Sequence, residues 1–257
     1  MASFRLWYKS LLVAGMFVYG MIAVGAIMPL LGFLAGRRAA AIHDRIRLNW
    51  NRTICRILNV HLEIHGEPNE DAQLLIANHI SWLDIIAIGS QQPVTFVAKQ
   101  EVAAWPVMGY LARRTGTLFV RRGDADQTAA IAEQMTWLLR QGKRIMLFPE
   151  GTTTTGERVL RFHSRLFQPA QLAQVRVQAV ALAYRGEVRE IAPFIGEDEF
   201  LPHLLRLLRR QRIDIHLHYC PPLPASLHRD VLAQTTRKQI VSAIVPETAE
   251  GRRTVGL

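Results

Sequence analysis

The apolar positions of the chain follow two patterns that change near residue 50. Residues 11–36 contain no charged residue, and at 1.5 Å per residue this run would reach about 39 Å as a helix, longer than a bilayer core is thick. After residue 50, short apolar stretches alternate with amphipathic ones. The change predicts a membrane-anchoring segment over residues 1–50 and one catalytic-size domain over residues 51–257.

The short apolar stretches have the length and composition of β-strands, mostly buried. They cover residues 60–65, 74–77, 94–98, 117–120, 144–148 and 176–184. Two longer stretches, residues 126–142 and 228–245, have the spacing of amphipathic helices. Strands alternating with helices predict an α/β fold in which helices flank a mixed, mainly parallel sheet.

The N-terminal run allows more than one arrangement. A cleaved signal peptide is one alternative, because Arg5 and Lys9 precede the run, but the run is longer than a signal core and ends in Arg37-Arg38. Pro29 would kink or divide a helix, so a bent spanning helix and a shallow helical hairpin are both possible. Basic residues are more numerous after the run than before it, which predicts that the catalytic domain faces the cytoplasm.

Charge and composition narrow the class of protein. The formal net charge is +10 and hydrophobic residues make up 49% of the chain, a combination that is unusual for nucleic-acid-binding proteins. Binding to an anionic membrane surface is the better interpretation, with membrane lipid as a partner and no nucleic acid. The two cysteines, Cys55 and Cys220, are too few for a disulfide framework, which agrees with a reducing compartment.

Four polar residues interrupt the apolar stretch LLIANHISWLDIIAI at residues 74–88. They are Asn78, His79, Ser81 and Asp84, and they lie where a buried strand ends and a helix begins near Ser81, a common place for sites in α/β sheets. Asp84 could hold the imidazole of His79 so that the ring accepts a proton from a hydroxyl. The alternative is structural: Ser81 caps the helix and His79 is a loop residue.

A second polar stretch, LFPEGTTTTG at residues 147–156, follows another buried strand. Its charged and hydroxyl groups at a sheet edge indicate that something polar binds there. The glycine spacing is similar to that of a P-loop, but Glu157-Arg158 stands where a P-loop has lysine and a hydroxyl residue. Nucleotide binding of that type is therefore not expected.

Taken in order, these stretches resemble the signature blocks of the glycerolipid acyltransferases, the lysophosphatidic acid acyltransferase family. The matching segments are NHISWLD at residues 78–84, FVAK at 96–99, GTLFVRR at 116–122 and FPEGT at 148–152. They follow the family's order and spacing across residues 60–190. The ordered set is much more specific than a histidine and an aspartate five residues apart.

The resemblance implies a membrane-bound O-acyltransferase of the bacterial inner membrane. His79 would deprotonate the free hydroxyl of a lysolipid acceptor, which attacks an acyl thioester directly, and Asp84 would orient His79. The acyl donor would be acyl-CoA or acyl-carrier protein as a co-substrate, and no cofactor is expected.

The resemblance also implies a site for the acceptor's head group. Lys99 and Arg122 would anchor its acidic part, since a guanidinium can hold two oxygens and an ammonium supplies a point charge. Glu150, Gly151 and Thr152 match the third block, which this family uses for the head group. We therefore expect these five residues to form the substrate-binding part of the site.

Two departures from the family pattern bear on the acceptor. The third block commonly continues with arginine, where this chain has Thr153, and the fourth block carries a proline where this chain has Ala179. Relatives with threonine in the third block include lyso-ornithine lipid acyltransferases. Lysophosphatidic acid (1-acyl-sn-glycerol-3-phosphate), acylated to phosphatidic acid, is the acceptor predicted first, and lyso-ornithine lipid is the alternative.

The sequence fits other functions less well. A serine esterase using Ser81 lacks the Gly-x-Ser-x-Gly turn. Polar residues alternate along residues 61–65 and 216–220, which could hold a metal, but half-exposed strands explain the alternation and no metal site is predicted. The helix predicted at residues 200–212 could pack on the sheet or lie in the lipid interface. An inactive lipid-binding or scaffold protein would have no chemical reason to keep His79 and Asp84.

Overall fold

The computed structural model describes residues 2–121, 125–244 and 253–255. The helices within them are α1 (Ala2–Ile22), α2 (Met28–Ala35), α3 (Ala39–Leu58), α4 (Leu83–Gly89), α5 (Met108–Arg114), α6 (Ala125–Arg140), α7 (Gln168–Ala173), α8 (Val188–Ile191), α9 (Phe200–Leu208) and α10 (Arg229–Ile244). The strands are β1 (Val60–His65), β2 (Ala72–Ala77), β3 (Thr95–Lys99), β4 (Leu118–Val120), β5 (Ile145–Leu147), β6 (Arg176–Arg185), β7 (Ile213–Tyr219) and β8 (Arg253–Val255).

These strands form one sheet in the order β4-β3-β5-β2-β6-β7-β1-β8. The first five in this order are parallel. β7 is antiparallel to β6, β1 is parallel to β7, and β8 is antiparallel to β1. The structure confirms the predicted α/β fold with a mixed, mainly parallel sheet.

Helices cover both faces of the sheet. α3, α4 and α9 bury leucine and isoleucine side chains on one face, which we call the α4 face. α6 and α10 do the same on the other, where α7 adds Ala170, and we call this the α10 face. The six predicted strands agree with β1 to β6 to within two residues at each end. β7 was expected only as a half-exposed strand around residues 216–220, and β8 was not predicted.

The N-terminal segment is a helical hairpin. α1 continues through a π-helical turn, Ala23–Ile27, into α2, where Pro29 lies in the first turn. Phe4–Ala35 is long and apolar enough to cross a membrane, by length and composition. After a turn at Gly36, α3 runs back beside it, and the division predicted at residue 50 falls within α3.

Lys9 ties the start of the hairpin to the rest of the chain. Its side chain is buried, and Nζ donates to the carbonyl oxygens of Leu58, 3.3 Å away, and Arg210, 3.2 Å away. These carbonyls lie at or just beyond the ends of α3 and α9, where the helix dipole favours a cation. The outer side of α1 and α2 exposes large apolar side chains, among them Trp7, Leu11 and Phe33.

α9 packs on the α4 face of the sheet through Leu204 and Leu207, which decides the choice that the sequence left open. Its His203 is fully buried, and Nδ1 accepts a hydrogen bond from Trp82 Nε1 at 3.0 Å. Nε2 lies 3.2 Å from the carbonyl oxygens of Ala192 and Pro193 and must be the protonated nitrogen. The ring is therefore neutral, and burial, together with the Arg206 charge, lowers its pKa.

We expect the protein to lose stability as the pH falls below about 6.5, the ordinary pKa of histidine, because the unfolded chain then binds a proton that folded His203 resists. Protonation would set an Nδ1–H against the Trp82 N–H. His203→Gln cannot be protonated there, so its melting temperature should fall less between pH 7.5 and 5.5 than that of the wild type. His228→Gln, at an exposed histidine, is the control and should behave as the wild type. Equal pH dependence of His203→Gln and the wild type would contradict this role.

Candidate active site

The residues of the two polar stretches meet at one edge of the sheet. β2, β5 and β3 are parallel neighbours, so their carboxyl ends lie on the same edge, where sites form in open α/β sheets. Residues 78–84 follow β2, residues 148–156 follow β5, and Lys99 ends β3. The structure therefore brings together segments that are far apart in the sequence.

Asp84 is fully buried and accepts a hydrogen bond from every donor around it. Oδ2 lies 2.8 Å from His79 Nδ1 and also accepts the backbone N–H groups of Ile80, at 2.7 Å, and Ser81, at 2.9 Å. Oδ1 accepts the Tyr184 hydroxyl at 2.7 Å. All four contacts use Asp84 as an acceptor, which suits the ionised carboxylate and leaves Nε2 of His79 as the ring nitrogen for chemistry.

Tyr184 was not predicted as a site residue. Burial raises its pKa well above the ordinary value, and the Asp84 charge raises it further, so the phenol keeps its proton and acts as a donor. It lies on β6, which pairs with β2. The only sequence signal was a tyrosine near the end of a predicted buried strand.

The side-chain amide of Asn78 makes backbone-like hydrogen bonds at the start of the loop between β2 and α4. Asn78 donates to the carbonyl oxygen of Leu182 and accepts its N–H, both at 2.8 Å, so its amide continues the pairing of β2 with β6. No side chain caps α4, whose N-cap is Trp82. Ser81 therefore does not have the capping role that was the alternative. It is also fully buried, which does not suit an exposed nucleophile.

Glu150 holds the main chain of His79. Its buried carboxylate accepts the His79 N–H on Oε1 at 2.9 Å and the Leu160 N–H on Oε2 at 2.8 Å. Thr154 N–H donates to the His79 carbonyl oxygen at 2.9 Å. Burial raises the pKa of Glu150, and the two backbone hydrogen bonds oppose that shift. Both oxygens of Glu150 are thus engaged within the protein, a use that the sequence did not indicate.

The imidazole of His79 is also fixed from one face. Phe148 stacks on it with ring centroids 4.0 Å apart and an interplanar angle of 18°, and Phe96 lies nearly parallel to Phe148. Gly156, at φ +81°, passes so close to Ile80 that a Cβ would lie 2.7 Å from Ile80 Cδ1. A glycine there lets the loop close over the segment that carries His79.

The other predicted site residues differ in their exposure and in whether the structure describes them. Lys99 is exposed at the end of β3, and Gly151 and Thr152 are partly exposed in the loop after β5. Thr153, where the family commonly has arginine, donates its hydroxyl to the Phe194 carbonyl oxygen. Arg122 lies outside the described residues, two positions after the end of β4.

The arrangement can act as a general base that has no nucleophile of its own. A buried carboxylate orients the imidazole through Nδ1, so Nε2 can accept a proton from a bound hydroxyl. The side chain of His79 is 18% exposed, which leaves it in reach of a substrate. The chemistry expected is direct transfer of a group to a hydroxyl.

Comparisons with known proteins agree with this chemistry. A family model described as Acyltransferase matches residues 60–183. A lyso-ornithine lipid O-acyltransferase of Pseudomonas aeruginosa is 38% identical over 247 residues, 95% of each chain. A 1-acyl-sn-glycerol-3-phosphate acyltransferase of Neisseria meningitidis is 30% identical over 213 residues, 80% of this chain and 83% of the relative.

The fold has a solved counterpart as well. The crystal structure of a 1-acyl-sn-glycerophosphate acyltransferase from Thermotoga maritima matches with a TM-score of 0.67 at 17% identity, over 97% of this chain and 100% of that one. The sequence relatives and the shared architecture agree with the signature blocks. This chain belongs to the lysophosphatidic acid acyltransferase family and is an acyltransferase of the lysolipid type.

Proposed function

We propose that the enzyme transfers a fatty acyl group to the hydroxyl of lyso-ornithine lipid, at a membrane surface. The observation that carries the proposal is the His79–Asp84 pair, held by a buried network beside a loop that has Thr153 in place of arginine. Four relatives named lyso-ornithine lipid O-acyltransferase, 33% to 38% identical, support the choice of acceptor.

The geometry supports a direct transfer. Nε2 of His79 takes the proton of the acceptor hydroxyl while that oxygen bonds to the carbonyl carbon of an acyl thioester. The tetrahedral intermediate then expels the thiolate, which receives the proton from the imidazolium. Asp84 stabilises the imidazolium through Nδ1 in the meantime. The donor would be acyl-CoA or acyl-carrier protein, and no covalent acyl-enzyme is needed.

The head group of lyso-ornithine lipid carries one carboxylate and one ammonium, so it needs less positive charge than a phosphate. Thr153 contributes none, and its hydroxyl is turned to Phe194. Lys99 at the end of β3 and Arg122 after β4 would anchor the carboxylate. Lysophosphatidic acid is the second candidate, because these two cations could also hold a phosphate and relatives of that name are 30% to 31% identical.

We assign the third block a divided role. Glu150 uses both oxygens to hold His79 and Leu160, so it positions the base and does not contact the head group. Gly151 and Thr152 are partly exposed beside it and would face the acceptor. Gly151 N–H donates to the Phe148 carbonyl oxygen at 3.0 Å, so the Thr152 N–H would be the one offered to an oxyanion.

The helical hairpin would attach the enzyme to the bacterial inner membrane. Its exposed apolar side chains, such as Trp7 and Phe33, would enter one leaflet. Lys9 contacts carbonyls at the ends of α3 and α9. This contact favours a hairpin that lies in the leaflet next to the domain, rather than a helix that crosses the membrane. The catalytic domain would face the cytoplasm, where the acyl donors are.

Acyl transfer by detergent-purified protein tests the proposal. Labelled acyl-CoA and acyl-carrier protein are offered with lyso-ornithine lipid, lysophosphatidic acid and other lysophospholipids. We expect product from lyso-ornithine lipid, and a loss of about 10²–10⁴-fold in His79→Ala, because a general base contributes that much. Product from lysophosphatidic acid alone would select the second candidate, and none from any acceptor, with the protein folded, would favour the scaffold alternative.

Tyr184→Phe tests the proposed positioning of Asp84. It removes one hydrogen bond to a charged group, worth about 1.5–3 kcal/mol, so kcat should fall by roughly tenfold or more while the KM values of both substrates change little. Tyr219→Phe, at another buried tyrosine, should keep the wild-type kcat. A rise in KM at constant kcat in Tyr184→Phe would place this residue in substrate binding instead.

Thr153→Arg tests the basis of acceptor choice. An arginine that reaches the head group should raise kcat/KM for lysophosphatidic acid relative to lyso-ornithine lipid by about tenfold or more, since a hydrogen bond to a charged group contributes roughly 1.5–3 kcal/mol. Thr155→Arg adds the same charge at an exposed position of the same loop and serves as the control. If both variants change the ratio equally, position 153 has no special part in selecting the acceptor.

A further inference from the structure

Strands β1 and β7 bring their histidines together on one face of the sheet, away from the active site. The two strands are parallel, and their register sets His61 beside Asp214, Glu63 beside His216, and His65 beside His218. These six residues alternate with largely buried apolar ones and are each partly exposed. Four of the chain's nine histidines therefore lie on one pair of strands.

This set of six lies on the α10 face. His216 pairs with Ala183 of β6, whose neighbour Ala181 belongs to the core beneath α10, whereas Leu217 and Tyr219 point to the α4 face. Tyr184, the next residue of β6, points to the active site on that opposite face. The histidines are thus separated from His79 by the thickness of the sheet.

Three side chains of this set converge on one point. Glu63 Oε1 lies 3.1 Å from His65 Nε2, and Glu63 Oε2 lies 3.2 Å from His216 Nε2. One ligand atom from each of the three lies within 4.8 Å of the others. Bonds of about 2.0–2.2 Å in a tetrahedral site put neighbouring ligand atoms about 3.3 Å apart. The two short distances run to different oxygens of Glu63, so the three side chains would move slightly toward an ion bound by one of those oxygens and both imidazoles.

We propose that Glu63, His65 and His216 bind a divalent first-row transition metal ion, with Zn²⁺ as the best fit. Two imidazole nitrogens and one carboxylate are a common ligand set for zinc, and water would fill the fourth position of this half-exposed site. Without the metal, the two Nε2 atoms can donate to the two oxygens of Glu63. The metal would take the place of those two hydrogens, and each neutral imidazole would then carry its proton on Nδ1.

The metal would join two strands that are far apart in the sequence. Glu63 and His65 lie on β1, and His216 lies on β7, so one ion would close a long loop and stabilise the parallel pairing of these two strands. The site does not depend on the identity of the acceptor lipid. The ion would act on the stability of the sheet and not on acyl transfer, because the sheet separates it from His79.

The test uses the full-length chain without a polyhistidine tag, stripped with chelator and titrated with Zn²⁺ against a chromophoric competitor. We expect one tight site per chain, and at least a tenfold weaker affinity in His216→Ala and in Glu63→Gln, since even the loss of an outer-sphere partner costs 10–100-fold. His228→Ala, at an exposed histidine paired with Asp230, should bind as the wild type does.

Two further readouts keep the test independent of activity. Co²⁺ should give the visible absorption of a tetrahedral site in the wild type and lose it in His216→Ala, and Zn²⁺ should raise the melting temperature of the wild type only. Glu63→Gln keeps the side-chain volume and can still form hydrogen bonds. It therefore serves as the second variant if His216→Ala does not fold. Equal zinc affinity in the wild type and Glu63→Gln would overturn the proposal and leave a hydrogen-bonded network of Glu63 with two histidines.

Discussion

The burial of the Asp84 carboxylate is the constraint on which the active site depends. A charged group removed from water costs several kcal/mol unless hydrogen bonds replace its hydration. Here the replacement comes from two backbone N–H groups of its own loop, the ring of His79 and the phenol of Tyr184. The loop between β2 and α4 must therefore keep one shape, since any other would leave a buried charge without donors.

The second loop extends this constraint to the base itself. Glu150 and Thr154 hold the N–H and the carbonyl oxygen of His79, and Phe148 stacks on its ring. The ring is thus fixed through its backbone, one nitrogen and one face, which leaves Nε2 and the open face to the substrate. A base held in this way loses little freedom when the substrate binds, and such preorganisation lowers the barrier to proton transfer.

Much of this could be predicted from the sequence, and the rest depends on contacts between distant segments. The strands follow from apolar runs. The place of His79 and Asp84 between a strand and a helix left a structural alternative open, and the ordered signature blocks favoured the catalytic interpretation. Tyr184 meets Asp84 only because β6 pairs with β2, and the convergence of Glu63 with His216 needs the register of β1 and β7. A hairpin was among the arrangements that Pro29 allowed, but the helix continues past Pro29 and the chain turns at Gly36. The bonds from Lys9 to two distant carbonyls have no local signal either.

Aromatic packing links the N-terminal hairpin to the loop that carries His79. Trp82 belongs to the loop that carries His79. It donates to His203 of α9 and packs edge-on against Phe200, which contacts Phe17 of α1 in the same way. Each step joins buried or half-buried rings, so the hairpin cannot move freely relative to the active-site loop. If the hairpin lies in the leaflet as proposed, this packing also fixes the position of the membrane surface relative to His79.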